Sequence, residues 1–413
     1  MKKPENSITV DVARKLMLEA VTPVKTNQNV KLAHALRRVL AADVRSSIDV
    51  PRYTNSAMDG FAFRHLDLPA SPSTSLPICG QSLAGHPYLD RVPAGHAISI
   101  TTGAYLPSDL DTVVPHELTL SSQNVVQFDT SAVKARANVR WQGEEVRRDQ
   151  VVVTAGTPIG PAQIALLGSV GVGSVCVYSP VKVGILATGD ELVEAGSPSN
   201  VHQIYNSNTP ALSAIMLEMG ALVEDFGIIP DNELCLQSSL DSALNTCDLI
   251  LITGGAAAST ADISHKLINR LGEIFPWTIN MRPGRPMRFA IVRDKPVFIL
   301  PGNPVAAYTT CLEFVSGVLR KLQGFKSDFW PNPICAILGC DVKKKKGRAE
   351  FLRANLLHHE NGMPVVTPLS NQSSAALTSL CRANCILYLN HEASDLSAGD
   401  TVYIHSFPGL LGY

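Results

Sequence analysis

The feature that most constrains this chain is an alternation of two patterns between residues 181 and 324. Val183-Gly184-Ile185-Leu186-Ala187-Thr188 and Asp248-Leu249-Ile250-Leu251-Ile252-Thr253 are almost continuously apolar, and Leu222–Ile229 and Val297–Leu300 are of the same kind. Strands without polar alternation must be covered on both faces. Between and after them stand helical stretches, Pro210–Met219, Leu234–Asn245, Ile263–Leu271 and Val305–Leu322. The alternation predicts an α/β domain over residues 180–326, with a central parallel sheet in a three-layer arrangement. A hairpin is expected near Trp277–Val292, and the stripe Tyr308, Cys311, Leu312, Val315 reads as core.

The flanks have a different texture, so the whole chain is expected to be an α/β multidomain protein. Asp11 opens a predicted helix with Ala13, Leu16, Met17 and Ala20 on one face, ending before Pro23. A second short helix is expected over Leu32, Ala35, Leu36 and Leu40. From 49 to 145, prolines and glycines punctuate short apolar stretches, which predicts an inserted β-rich domain. The insertion interrupts a small helical or mixed domain made of 1–48 and 146–179, in which Val151–Tyr178 reads as strand, helix (Pro161–Leu167) and strand. Phe325–Pro333 reads as a linker. Residues 327–413 form a predicted C-terminal β-domain with strands Ile334–Leu338, Pro364–Thr367, Cys385–Leu389 and Thr401–Ile404.

Composition narrows the partners. Hydrophobic residues make up 45% and charged residues 17%, so large buried cores are expected. The 35 basic and 36 acidic residues nearly cancel, which argues against a nucleic-acid partner. No run approaches the roughly 18 apolar residues of a membrane span, so no membrane association is expected. The start, Met1-Lys2-Lys3-Pro4-Glu5-Asn6, has no apolar stretch behind it and is not read as a secretory signal. Nine scattered cysteines without Cys-x-x-Cys spacing fit reduced thiols and a cytoplasmic location.

In open parallel sheets, ligands bind beyond the strand C-termini. Four loops there are candidates: Thr188-Gly189-Asp190-Glu191, Ile229-Pro230-Asp231-Asn232, Thr253-Gly254-Gly255-Ala256 and Leu300-Pro301-Gly302-Asn303-Pro304. Gly254-Gly255 and Gly302-Asn303-Pro304 each precede a predicted helix, where exposed amides can cradle an anion. Asp190, Glu191, Asp231 and Asp262 are oxygen donors of the kind that suit Mg²⁺ completed by substrate phosphates; taken singly, each acid is as well explained as a turn or helix cap. Met281-Arg282-Pro283-Gly284-Arg285-Pro286 sets paired arginines on a restricted turn, a grip for phosphate or another oxyanion, against the plainer reading of a hairpin tip. Read as turns alone, Thr54–Ala62 and Thr101–Ala104 are only hairpin tips. The Lys343–Lys346 run reads as a solvated turn, and His358-His359 as surface histidines.

The motifs then carry a resemblance. Asn55-Ser56-Ala57-Met58-Asp59-Gly60-Phe61-Ala62 closely resembles the distinctive signature of the molybdopterin molybdenumtransferase family, the MoeA and gephyrin E-domain proteins. Thr102-Gly103-Ala104, Gly143-Glu144-Glu145, Thr188-Gly189-Asp190-Glu191-Leu192, Leu300-Pro301-Gly302-Asn303-Pro304-Val305, Arg348-Ala349-Glu350-Phe351 and Gln372-Ser373-Ser374 follow in the family's order. The resemblance implies Mg²⁺-dependent insertion of molybdate into adenylylated molybdopterin, with release of molybdenum cofactor and AMP. It implies a homodimer of four-domain chains with a composite site, and an upstream adenylyltransferase as a partner. Asp59, Thr102, Glu191, Asp231 and Asp262 would be catalytic, with Glu191, Asp231 and Asp262 holding the metal. Asp190, Asn208, Gly254, Gly255, Arg282, Arg285, Pro301, Gly302 and Asn303 would bind the pterin nucleotide. Arg285, Arg348 and Ser373 would hold molybdate.

The chain departs from the family pattern at specific places. Arg282-Pro283-Gly284-Arg285-Pro286 stands where lysines are usual, and Ala256-Ala257-Ala258-Ser259-Thr260 lacks a usual glycine and acid. Ala306 stands in place of a serine, and Asn206 in place of an aspartate. A catalytically weak paralogue that binds a pterin or another oxyanion therefore stays open, as does a nucleotide-pyrophosphate hydrolase on the same α/β domain.

Overall fold

The computed structural model describes residues 7–122, 124–254, 260–357 and 362–407. Its centre is a six-stranded sheet in which Leu222–Ile229, Lys182–Thr188, Leu249–Gly254 and Lys295–Leu300 lie side by side and parallel. Arg288–Val292 and Glu273–Ile274 extend it antiparallel, so the sheet is mixed where a wholly parallel one was expected. The reason is local: Arg293 and Asp294 adopt positive φ (49° and 60°) and turn Arg288–Val292 straight back onto Lys295–Leu300.

Alternate side chains of each central strand enter opposite cores. Val183, Ile185, Leu249, Leu251, Phe298 and Leu300 join one cluster, with helix Asn208–Glu218 and the long helix that begins at Pro304. Leu186, Ile250, Ile252, Val297 and Ile299 join the other, with helices Glu233–Thr246 and Thr260–Leu271. This is the three-layer α/β arrangement expected from the doubly apolar strands. The stripe Tyr308, Cys311, Leu312, Val315 packs in the first cluster, and the helix carrying it makes a π-turn over Cys311–Val315.

The β-rich insertion is a six-stranded sheet whose strands fall between Gly60 and Asp129. Antiparallel pairings of Val44–Arg45 with Val151–Val153, Val50 with Val146, and Asn55–Ser56 with Val139–Arg140 form a two-stranded neck leading to it. The helix expected over Leu32–Leu40 is not formed. Asn27–Lys31 is a strand paired with Ser174–Tyr178, followed by a single 3-10 turn, Leu32–His34. Pairing across the sequence overrides a short helical pattern that has little apolar face to bury.

Nor is there a hairpin at Trp277–Val292. Thr278–Ile279 pairs with Ser7–Ile8, and Met281–Arg282 pairs in parallel with Ala349–Glu350. The C-terminal strands close into a ring of five, which includes Ala349–Leu357, a strand absent from the sequence reading. Its Leu352, Ala354 and Leu356 fill the barrel, whereas Ala349 and Phe351 face the core shared with the α/β sheet. A buried ion pair and a hydrogen bond to the same carboxylate fasten this junction: Arg14 Nη2 lies 2.6 Å from Glu313 Oε2, and His405 Nδ1 lies 2.9 Å from that oxygen. Helix Val10–Glu19, the π-turn and the last strand, Thr401–Ser406, thus meet at one carboxylate.

Candidate functional site

Because the four central strands are parallel, the loops after Thr188, Ile229, Gly254 and Leu300 all leave from one edge. Close packing shapes that edge. Gly254 has φ +118°, and a Cβ there would sit 1.9 Å from the carbonyl oxygen of Thr188, so no larger residue fits. Asn208, the first residue of its helix, donates from Nδ2 to Thr253 Oγ1 (2.8 Å) and to the Gly302 carbonyl (2.9 Å). One amide therefore ties the end of one strand to the loop that follows its neighbour. Buried Asn206 accepts from the Thr209 backbone N–H (3.2 Å) and donates to Thr209 Oγ1 (3.0 Å), which explains it as a brace for the helix start.

These groups enclose a cavity of about 420 Å³, lined by Glu191, Asn208, Thr253, Gly254, Gly302 and Asn303 among others. Asp190 and Asp231 stand farther along the edge and line neither this cavity nor the next. They contact each other, the Asp231 backbone N–H donating to Asp190 Oδ1 at 3.1 Å. Among the described residues, no three of His, Cys, Asp and Glu are grouped to hold a metal. Gly255 and the stretch Ala256–Ser259 lie outside the described residues, as do the side chain of Asp262 and the pair His358-His359.

A second cavity, of about 790 Å³, adjoins the first and shares Asn303 with it. Arg282, Arg285, Pro301 and Ala306 line it from the α/β side, and Arg348 and Ser373 from the barrel side. The turn carrying Arg285 is held from behind. Gly284 (φ +103°) packs so close to Thr310 that a Cβ would lie 2.3 Å from its Cγ2. Arg288 Nη1 donates to the carbonyls of Arg285, Pro286 and Met287. Burial, with the Arg285 charge alongside, lowers the Arg288 pKa.

Part of the lysine run also belongs to this wall. Lys343 lines the cavity and pairs with Asp395 at 3.2 Å. Lys344 is not solvated as expected: it is 4% exposed, and its Nζ donates to the Ala393 carbonyl at 2.9 Å. Arg353 and Gln372 likewise line the cavity, and sequence reasoning assigned them no role.

Asp59 and Thr102 are brought together on the β-rich domain, away from both cavities. Asp59 Oδ1 accepts from the Thr102 backbone N–H (2.6 Å) and hydroxyl (2.8 Å), and these bonds, the backbone one first, hold its carboxyl below the usual value. The described predicted residues thus separate into two adjoining groups, the pair Asp190 and Asp231 farther along the edge, and the remote pair Asp59 and Thr102. Glu191, Asn208, Gly254, Gly302 and Asn303 form one group; Arg282, Arg285, Pro301, Asn303, Arg348 and Ser373 form the other.

The chain resembles known proteins along nearly its whole length. Three family profiles match in order: the MoeA N-terminal region (domain I and II) over residues 8–171, a "Probable molybdopterin binding domain" over 184–321, and the MoeA C-terminal region (domain IV) over 335–407. The chain is similar to a molybdopterin molybdenumtransferase of Haemophilus influenzae, 35% identical over 406 residues, covering 98% of this chain and 100% of that one. It is also similar to one of Nostoc, 32% identical over 379 residues, covering 90% and 86%. Among solved structures, the molybdopterin biosynthesis moeA protein of Pyrococcus horikoshii superposes with a TM-score of 0.83 at 27% identity, covering 97% of this chain and 100% of that one.

Proposed function

The chain belongs to the molybdopterin molybdenumtransferase family, whose place is in molybdenum cofactor biosynthesis, and from that premise we propose that it inserts molybdate into adenylylated molybdopterin and releases AMP. One observation carries the reading: a cavity with Arg282, Arg285, Arg348 and Ser373 on its walls adjoins, through Asn303, a cavity lined by Glu191, Asn208 and Gly254. Charge recognition of an oxyanion and backbone recognition of a phosphate-bearing ligand then share one wall.

In this reading, Arg285, Arg348 and Ser373 hold molybdate, with Arg282 and Lys343 adding to the field that attracts it. Asn208, Gly254, Pro301, Gly302 and Asn303 seat the pterin nucleotide, its phosphates toward the edge of the sheet. Asp190 and Gly255 are further candidates for binding the nucleotide, Gly255 lying outside the described residues. The protein's contribution is orientation and a fixed electrostatic field rather than a covalent intermediate.

Mg²⁺ fits the donors in one specific way: among the described residues, Glu191 is the carboxylate that lines this cavity, which leaves the remaining positions to water and substrate phosphates, as Mg²⁺ is usually bound. Asp231 and Asp262 are the further candidate ligands. The ion would supply charge neutralisation at the phosphates. Asp59 and Thr102, remote within one chain, act in a homodimer with a composite site, where the β-rich domain of one protomer reaches the cavity of its partner. A cytoplasmic location and delivery by an upstream adenylyltransferase complete the proposal; among the described residues no helix is long and apolar enough to cross a membrane.

The test is AMP release from adenylylated molybdopterin by the purified chain. Release that depends on both molybdate and Mg²⁺ supports the proposal. Tight substrate binding with no AMP released under any molybdate concentration overturns it.

A further inference from the structure

Arg353 interrupts an apolar face. Ala349, Phe351 and Arg353 project from the same side of their strand, toward the core between barrel and α/β sheet, yet Arg353 is 1% exposed. Its donors go to neutral acceptors: Nε to Ser379 Oγ (2.8 Å), and Nη2 to the carbonyls of Asn371 (3.0 Å) and Ser373 (3.1 Å). No carboxylate among the described residues forms an ion pair with it. Gln372 clasps the same residue, accepting from the Arg353 N–H (3.1 Å) and donating to the carbonyls of Arg353 (2.9 Å) and Leu369 (2.8 Å). At the far end of the loop, the Val305 N–H donates to the Ser374 carbonyl (3.2 Å), tying it to the helix beside Asn303.

We propose that Arg353 is a positioning residue for the oxyanion end of the larger cavity, presenting Ser373 on the wall that Arg285 and Arg348 also line. The proposal rests on the functional reading above. By drawing the carbonyls of residues 371 and 373 toward itself, the guanidinium sets the course of the loop between them. A planar group with several donors can hold both carbonyls and the Ser379 hydroxyl at once, which an ammonium cannot do in the same geometry. A buried charge without a counter-ion is costly to keep. Here it borders a cavity lined by further cations, so a bound oxyanion supplies the compensation that the protein itself omits.

The test is calorimetric titration of the full-length protein with inorganic molybdate, alongside molybdopterin binding. Arg353→Met is expected to weaken molybdate binding about tenfold while shifting pterin affinity less than about twofold, with Arg353→Lys in between. In a double-mutant cycle with Ser373→Ala, the two losses should not add, because one acts through the other. Equal losses for molybdate and pterin, or an additive cycle, reduce Arg353 to a structural role and overturn the proposal. Should Arg353→Met fail to fold, Gln372→Met removes the clasp instead: about threefold weaker molybdate binding supports the proposal, and unchanged binding overturns it. Arg285→Ala separates this from the broader reading. If it weakens molybdate binding and Arg353→Met does not, only the positioning role falls; if the wild type binds no molybdate, the functional reading falls first.

Discussion

The smaller cavity, at the edge of the α/β sheet, is walled by backbone and amide groups, whereas its larger neighbour is walled by cations carried on turns from two separate bodies. The first takes its shape from contacts that leave no room, such as the Gly254 approach to Thr188. The second takes its character from charge, on turns braced behind by Arg288 and Arg353. Changes in the first should therefore cost fold and geometry together, and changes in the second should cost affinity while the fold persists.

Gly254→Ala is the sharpest way to break that contrast. The added methyl meets the Thr188 carbonyl oxygen at a positive φ, so the strands must part. A loss of about 4 kcal/mol or more in denaturant unfolding is expected; a loss under about 1 kcal/mol would show that the edge is soft. In the other cavity, Arg285→Ala should leave stability nearly unchanged and weaken oxyanion binding on the order of a hundredfold, about 2.7 kcal/mol. Arg285→Lys should recover part of that, since charge returns without the bidentate fork. Titration calorimetry checks both, and a large drop in melting temperature for Arg285→Ala would erase the distinction.

Asn208→Ala sits between the extremes. It removes both hydrogen bonds joining Thr253 to Gly302, so about 2 kcal/mol of stability and a several-fold loss of pterin affinity should appear together. The smallest effect concerns the remote pair. Thr102→Val keeps the backbone N–H but removes the hydroxyl, so the Asp59 pKa should rise part of the way toward its usual value, read by carboxyl NMR titration. The sign follows from the depressed folded value: stabilisation from this pair is present at neutral pH and fades as pH falls through the folded pKa of Asp59. The variant should lose it at a higher pH than the wild type. An unmoved titration would mean that the hydroxyl contributes nothing.

Much of the fold was legible. The doubly apolar strands at 183–188 and 248–253 permit only a sheet covered on both faces, and it is there. The Leu32–Leu40 helix does not form because the chain just before it, Asn27–Lys31, pairs with Ser174–Tyr178 and Val39 and Leu40 bridge to Pro158 and Val177, and the Trp277–Val292 hairpin does not form because its residues pair with Ser7–Ile8 and Ala349–Glu350. Local pattern carries no information about such partners. For the candidate site, the glycines and the proline-bounded arginines were visible as motifs. Arg353 left one trace, a charge in phase with Ala349 and Phe351, and Lys344 left none, since a lysine run looks solvated until its carbonyl partners are known.

By itself the sequence determined the three-layer arrangement around four doubly covered strands, the edge from which the candidate loops emerge, and the family, because these depend on short-range periodicity and on ordered motifs. Only the tertiary structure decided which motifs meet. Met281–Arg282 leaves its own sheet to join the barrel, and that crossing puts Arg285 on one cavity with Arg348 and Ser373 while leaving Asp190 and Asp231 farther along the edge. The physical reason is that a strand spends its hydrogen bonds on whichever neighbour packing brings alongside, and that choice is settled by the whole core rather than by the residues on either side of it.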